Sequence, residues 1–151
     1  MAPLIVLVVV TVLARLTGQL IAGLRGWAPA TRIGLAVMFC FTAAAHFNSM
    51  RGDMIRMVPP GVPYPELMVT FTGICEILGA IGLLVWRTRR VAAVALIVFL
   101  LAVLPANIHA AMSGATLRGQ PPTPLAPRVA LQALFIGLVW WSGVRKDQRP
   151  G

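Results

Sequence analysis

The chain has 151 residues, of which 58% are hydrophobic and 11% charged, with a formal net charge of +9. Its mean hydropathy is +0.85 and its pI about 11.7. A soluble domain carries about twice that share of charge, so composition excludes an ordinary soluble globule and predicts one integral membrane domain, residues 1–151, built from helices. The basic excess does not indicate nucleic acid: no basic stretch is interleaved with stacking aromatics, and the arginines fall between apolar runs, where they set topology and meet anionic lipid.

Five apolar runs follow in chain order, at about residues 3–24, 31–47, 65–86, 91–112 and 127–143. The first has no Lys or Arg before it, so it lacks the basic start of a signal peptide and reads as a retained helix, with Arg15 reaching for an interface. Gly26 and Pro29 predict a break, and Thr31 a cap for the second span. That span ends in the polar stretch from His46 to Ser49. Met54, Ile55, Met57 and Val58 predict a short interfacial helix with Arg51, Asp53 and Arg56 toward water. Pro59, Pro60, Gly61 and Pro63 forbid regular structure after it. The third span carries Glu76 near its middle, and an intramembrane carboxylate marks a functional site by default. Thr72, Cys75, Gly79 and Gly82 lie on or beside the Glu76 face at steps of three and four, and small residues there admit a close neighbouring helix. Arg87 to Arg90 form a basic turn. Pro105 predicts a kink or an opened turn in the fourth span.

With five spans, Arg25, Arg32, Arg87, Arg89, Arg90, Arg145, Lys146 and Arg149 share one side, together with all four tryptophans. Arg51, Arg56, Arg118 and Arg128 fall on the other. The first side should be cytoplasmic, giving N-out and C-in. On this topology His46, Asn107 and His109 lie at the outer ends of their helices. Glu76, Cys40 and Cys75 lie roughly 10–15 Å deep, counting 1.5 Å per residue, with Gln132 at a similar level. These groups are expected to converge on a pocket in the outer half, roofed by the loops at 51–64 and 113–126. Such a pocket suits a proton relay or the head group of a quinone, because His and Asn donate to carbonyls. Cys40 and Cys75 are redox candidates if their helices adjoin, although Cys in a membrane helix is usually a small packing residue. His46, His109 and Glu76 have no local ligand motif, so no metal is expected.

Five stretches carry a family resemblance: AAAHF (43–47), MVPPGVP (57–63), TGICEILGAIGLL (72–84), RTRR (87–90) and VLPANIHAAMSG (103–114). Together they resemble the DoxX-like family of small bacterial membrane proteins, over about residues 32–141. The resemblance implies a bundle of four membrane helices in the bacterial inner membrane, to which the first run adds a fifth. It implies His46, Pro59, Pro60, Glu76, Pro105 and Asn107 as motif residues. It further implies an association with quinone-linked oxidoreductases and oxidative stress, and in distant relatives a role in assembling other membrane proteins. Two functions follow as expectations. One is a redox accessory or subunit, at most part of a quinone-linked oxidoreductase, binding a quinone or another small apolar molecule. The other is a non-catalytic chaperone or scaffold for a membrane partner.

Overall fold

Backbone groups of apolar segments this long find partners only within a helix or a closed barrel, and the described chain is all helix. A computed structural model describes residues 2–20, 25–113 and 124–145. The helices are α1 (Ala2–Thr17), α2 (Trp27–Ala43), α3 (Arg51–Met57), α4 (Pro65–Leu84), α5 (Arg89–Met112) and α6 (Leu125–Val139). A 3-10 turn, Ala44–Phe47, extends α2, and a π turn, Trp140–Val144, extends α6. Among the described residues, four helical units are long and apolar enough to cross a membrane: Trp27–Phe47, Pro65–Leu84, Arg89–Met112 and Leu125–Val144.

Several boundaries differ from the sequence expectation. The first helix stops at Thr17, where the Thr17 hydroxyl bonds back to Leu13 O at 2.9 Å. It therefore has 16 residues, about 24 Å at 1.5 Å each, and residues 21–24 lie outside the described part. Pro29 does not break α2. The helix starts at Trp27, so Pro29 occupies its first turn, where a missing N–H costs nothing. Gly26 turns the chain into the helix with φ 120, and Thr31 is a buried residue within the helix rather than its cap. Arg89 is not in the turn after α4 but opens α5, buried, with its guanidinium 4.4 Å from the centre of the Trp86 ring. α5 runs unbroken through Pro105.

The helices pack as an up-and-down bundle, with α1 against α2, α2 against α4, α4 against α5, and α5 against α6. One end gathers the tryptophans. Arg15 at the end of α1 lies 5.5 Å from the ring centre of Trp27 at the start of α2, Trp86 follows α4, and Trp140 and Trp141 follow α6. Leu35, Ala80, Leu83, Ala93, Leu96 and Val139 form a close-packed core. Close approach there depends on missing side chains. A Cβ on Gly79 would collide with Leu96, and one on Gly143 would lie 2.5 Å from Ala93 Cβ. Ile74, Leu78, Ile81, Val91, Val94, Val98 and Leu101 are exposed on the outside, an apolar surface suited to lipid.

Candidate functional site

Beyond that core, toward the end bearing α3, the bundle opens around a cavity of about 590 Å³. Phe39 and Leu100 join the core to its wall. Phe99, Val103, Leu131 and Phe135 line its α5 and α6 side. Met54, Met57 and Val58 on and just after α3, with Pro59 and Val62, close it from the loop. Four methionines in all face the space (Met38, Met54, Met57 and Met68). Flexible thioether side chains shape themselves around varied apolar surfaces.

The polar groups are concentrated on the α2 and α4 wall. The 3-10 turn after α2 tightens the chain and directs His46 inward, where it is 5% exposed. Gly73 on α4 makes room for it: a Cβ at that position would lie 2.7 Å from His46 Cβ. His46 Nδ1 is 2.7 Å from Val69 O. A carbonyl only accepts, so Nδ1 carries the proton and donates it to Val69. The Thr72 hydroxyl stands 3.2 Å from the same nitrogen and bonds back to Met68 O. His46 Nε2 is thereby left facing Glu76 Oε2 at 3.7 Å. Glu76, one helical turn after Thr72, is 8% exposed, and its Oε2 has no hydrogen-bond partner among the described residues. The Thr42 hydroxyl on α2 lies beside the carboxyl. A proton moved between Glu76 Oε2 and His46 Nε2 changes a neutral pair into an ion pair without changing total charge, the elementary act of a relay.

A second polar cluster bridges α5 and α6. Asn107 Nδ2 donates to Gln132 Oε1 at 3.2 Å, and Gln132 Nε2 donates to Leu100 O. This bond falls where Pro105 disturbs the helix, since the missing N–H of Pro105 deprives the neighbouring Leu101 carbonyl of its partner. Gln132 thus braces the turn that the sequence marks for a kink.

Of the residues expected to converge, His46, Glu76, Asn107 and Gln132 line the cavity, as do Pro59 and Pro105. His109 does not. Two residues past Asn107 on a helix means a turn of about 200°, so the side chains diverge. Cys40 is exposed and Cys75 half-buried; both are free thiols, and neither lines the cavity. Gly79 and Gly82 also lie outside it. Their small face is filled by the chain's own α5, through Leu96 and Ala92. Of the two expected roofing loops, the first lines the cavity, and most of the second lies outside the described residues. No group of three or more His, Cys, Asp or Glu side chains able to hold a metal occurs among the described residues.

Sequence reasoning missed three participants. Arg51, expected toward water, donates to His46 O, Glu66 O and Thr70 Oγ1 at 2.9 to 3.0 Å, tying α3 to α4. Its spacing five residues after His46 was the available signal. The Val69 carbonyl that sets the His46 tautomer has no side-chain signature. Arg128 also lines the cavity, although its place beside Pro127 read as an interfacial charge.

No curated protein matches the chain, and no solved structure does. A family model does match, over residues 35–143, which runs from Leu35 in α2 into the π turn and leaves α1 outside. By that match, which covers most of the chain and all seven polar residues lining the cavity, the protein belongs to the family described as domain of unknown function DUF8561.

Proposed function

We propose that this is a DoxX-like membrane protein whose cavity binds a quinone or a similar small apolar molecule, as an accessory to a redox partner in the bacterial inner membrane. In this reading α1 is a fifth span, the amino terminus is outside and the carboxyl terminus inside, and the cavity opens toward the outer face. One observation carries the proposal: Glu76 and His46 face each other at 3.7 Å on the wall of an apolar cavity of about 590 Å³. That volume falls within the range of small-molecule sites, about 300–1,000 Å³, and such sites pair an apolar lining with a few polar groups. A buried carboxyl has no role in lipid-facing packing and is costly there without a task.

The test is mass spectrometry of small molecules co-extracted with the protein from its native membrane, for wild type and Glu76→Gln side by side. A quinone or related molecule retained by wild type and lost from the variant is the expected result. Two empty proteins would refute the reading. The scaffold alternative rests on the absence of a strong catalytic motif and on the small-residue face of α4, a face packed against α5 of the same chain.

A further inference from the structure

We infer that the cavity selects apolar molecules bearing a hydroxyl group, a phenol, quinol or other alcohol, over the corresponding carbonyl or ether. The inference rests on the cavity-binding reading above and names the chemical class of its ligand; within a quinone couple it makes the reduced quinol the form that is held.

The neighbours of His46 fix its tautomer. Its Nδ1–H is committed to Val69 O at 2.7 Å, which leaves Nε2 as the atom presented toward Glu76. Glu76 Oε2 faces it and has no hydrogen-bond partner among the described residues, in a residue that is 8% exposed. At 3.7 Å the two atoms are too far apart to bond directly. They are close enough for one ligand oxygen to touch both at ordinary hydrogen-bond lengths.

That oxygen must match what the pair offers. If Glu76 is protonated and His46 neutral, the pair presents one O–H donor and one nitrogen lone pair. If the proton has passed to His46, it presents one N–H donor and a carboxylate. With no proton to share, it presents two acceptors. Every one of these states contains an acceptor that needs a donor. A hydroxyl donates and accepts through a single oxygen, so it satisfies both groups in the first two states and one of the two acceptors in the third, where a carbonyl or ether satisfies neither. A quinone carbonyl or an ether only accepts, and leaves a buried lone pair without a partner, at a cost comparable to a lost hydrogen bond.

On the other polar wall Asn107 and Arg128 reach the cavity from α5 and α6, whereas the Glu76–His46 pair stands on the α4 and α2 side. Gln132 has committed its Nε2 to Leu100 O and its Oε1 to Asn107 Nδ2. The remaining contact surface, with Phe99, Val103, Leu131 and Phe135, suits the apolar body of the ligand.

A matched pair of probes tests the inference. Para-nonylphenol and para-nonylanisole share the same ring and tail and differ in whether the oxygen carries a hydrogen. Each is equilibrated with the full-length protein in lipid nanodiscs, and the amount held is measured against empty nanodiscs of the same lipid. The expected result is about tenfold or greater preference for the phenol, the size set by one buried hydrogen bond. In Glu76→Leu the preference should collapse. Wild-type protein alone decides the question if that variant fails to fold. Equal retention of both probes would overturn the hydroxyl selection while leaving the cavity reading intact. Retention of neither would overturn both. A preference undiminished in folded Glu76→Leu would overturn its assignment to the Glu76–His46 pair.

Discussion

At His46 a single residue carries three constraints at once. Its ring donates to Val69 O, its other nitrogen faces Glu76, and its own carbonyl accepts from Arg51. The space for all of this comes from Gly73. An alanine there would put a methyl 2.7 Å from His46 Cβ and 2.9 Å from Phe47 Cε2. The half-exposed Phe47 ring can swing away, but His46 Cβ is fixed to the backbone, so the 3-10 turn must shift. Gly73→Ala should therefore cost about 1–3 kcal/mol, the usual range for overpacking, and should also reduce ligand retention by misdirecting His46. Thermal unfolding in detergent, read beside the co-extraction assay, checks both effects. A variant as stable as wild type with full retention would show that the turn absorbs the methyl without moving the ring.

Among the elements, α3 is the one whose position depends most on a few bonds. It has seven residues, none of them buried, and an isolated helix of that length is not stable in water. Its apolar side, Met54 and Met57, rests on the cavity, and Arg51 at its start ties it to α4. Arg51→Ala removes bonds to His46 O, Glu66 O and Thr70 Oγ1. Hydrogen exchange in the amides of α3 should then quicken by about tenfold or more, corresponding to one charge-assisted bond, while the amides of α5 in the core keep their protection. Unchanged exchange in α3 would mean that methionine packing alone holds it.

For the whole molecule, the ordering is along the bundle axis. The tryptophans, with Arg15 and Arg89 stacked on two of them, mark one end, and the cavity opens in the half toward the other. The proposed orientation places the tryptophan end in the cytoplasm because Lys and Arg accumulate there. A green fluorescent protein fused to the carboxyl terminus should fluoresce in cells, and an alkaline phosphatase fusion at the same point should be inactive. An active phosphatase would invert the orientation and place the cavity on the cytoplasmic side.

Hydropathy and composition alone determined that the described residues form helices fit to span a membrane, because a backbone in lipid must satisfy its hydrogen bonds locally. They also located Glu76, since a carboxyl within an apolar run is anomalous wherever the run packs. Depth, counted at 1.5 Å per residue, brought His46 and Asn107 to the outer ends of their helices and Gln132 to about the level of Glu76, all in one half of the bundle, and all four line the cavity. Rotation about each helix axis was another matter. It separates His109 from Asn107, turns Cys40 outward, and gives the Gly79 face to Leu96. The end of α1 at Thr17 and the start of α2 before Pro29 also depended on local backbone bonding that apolar run length does not report. The His46 tautomer depended on a carbonyl in another helix. Tertiary structure decided these because which face of a helix turns inward, and which backbone group meets a side chain, are settled by packing between segments distant in the chain.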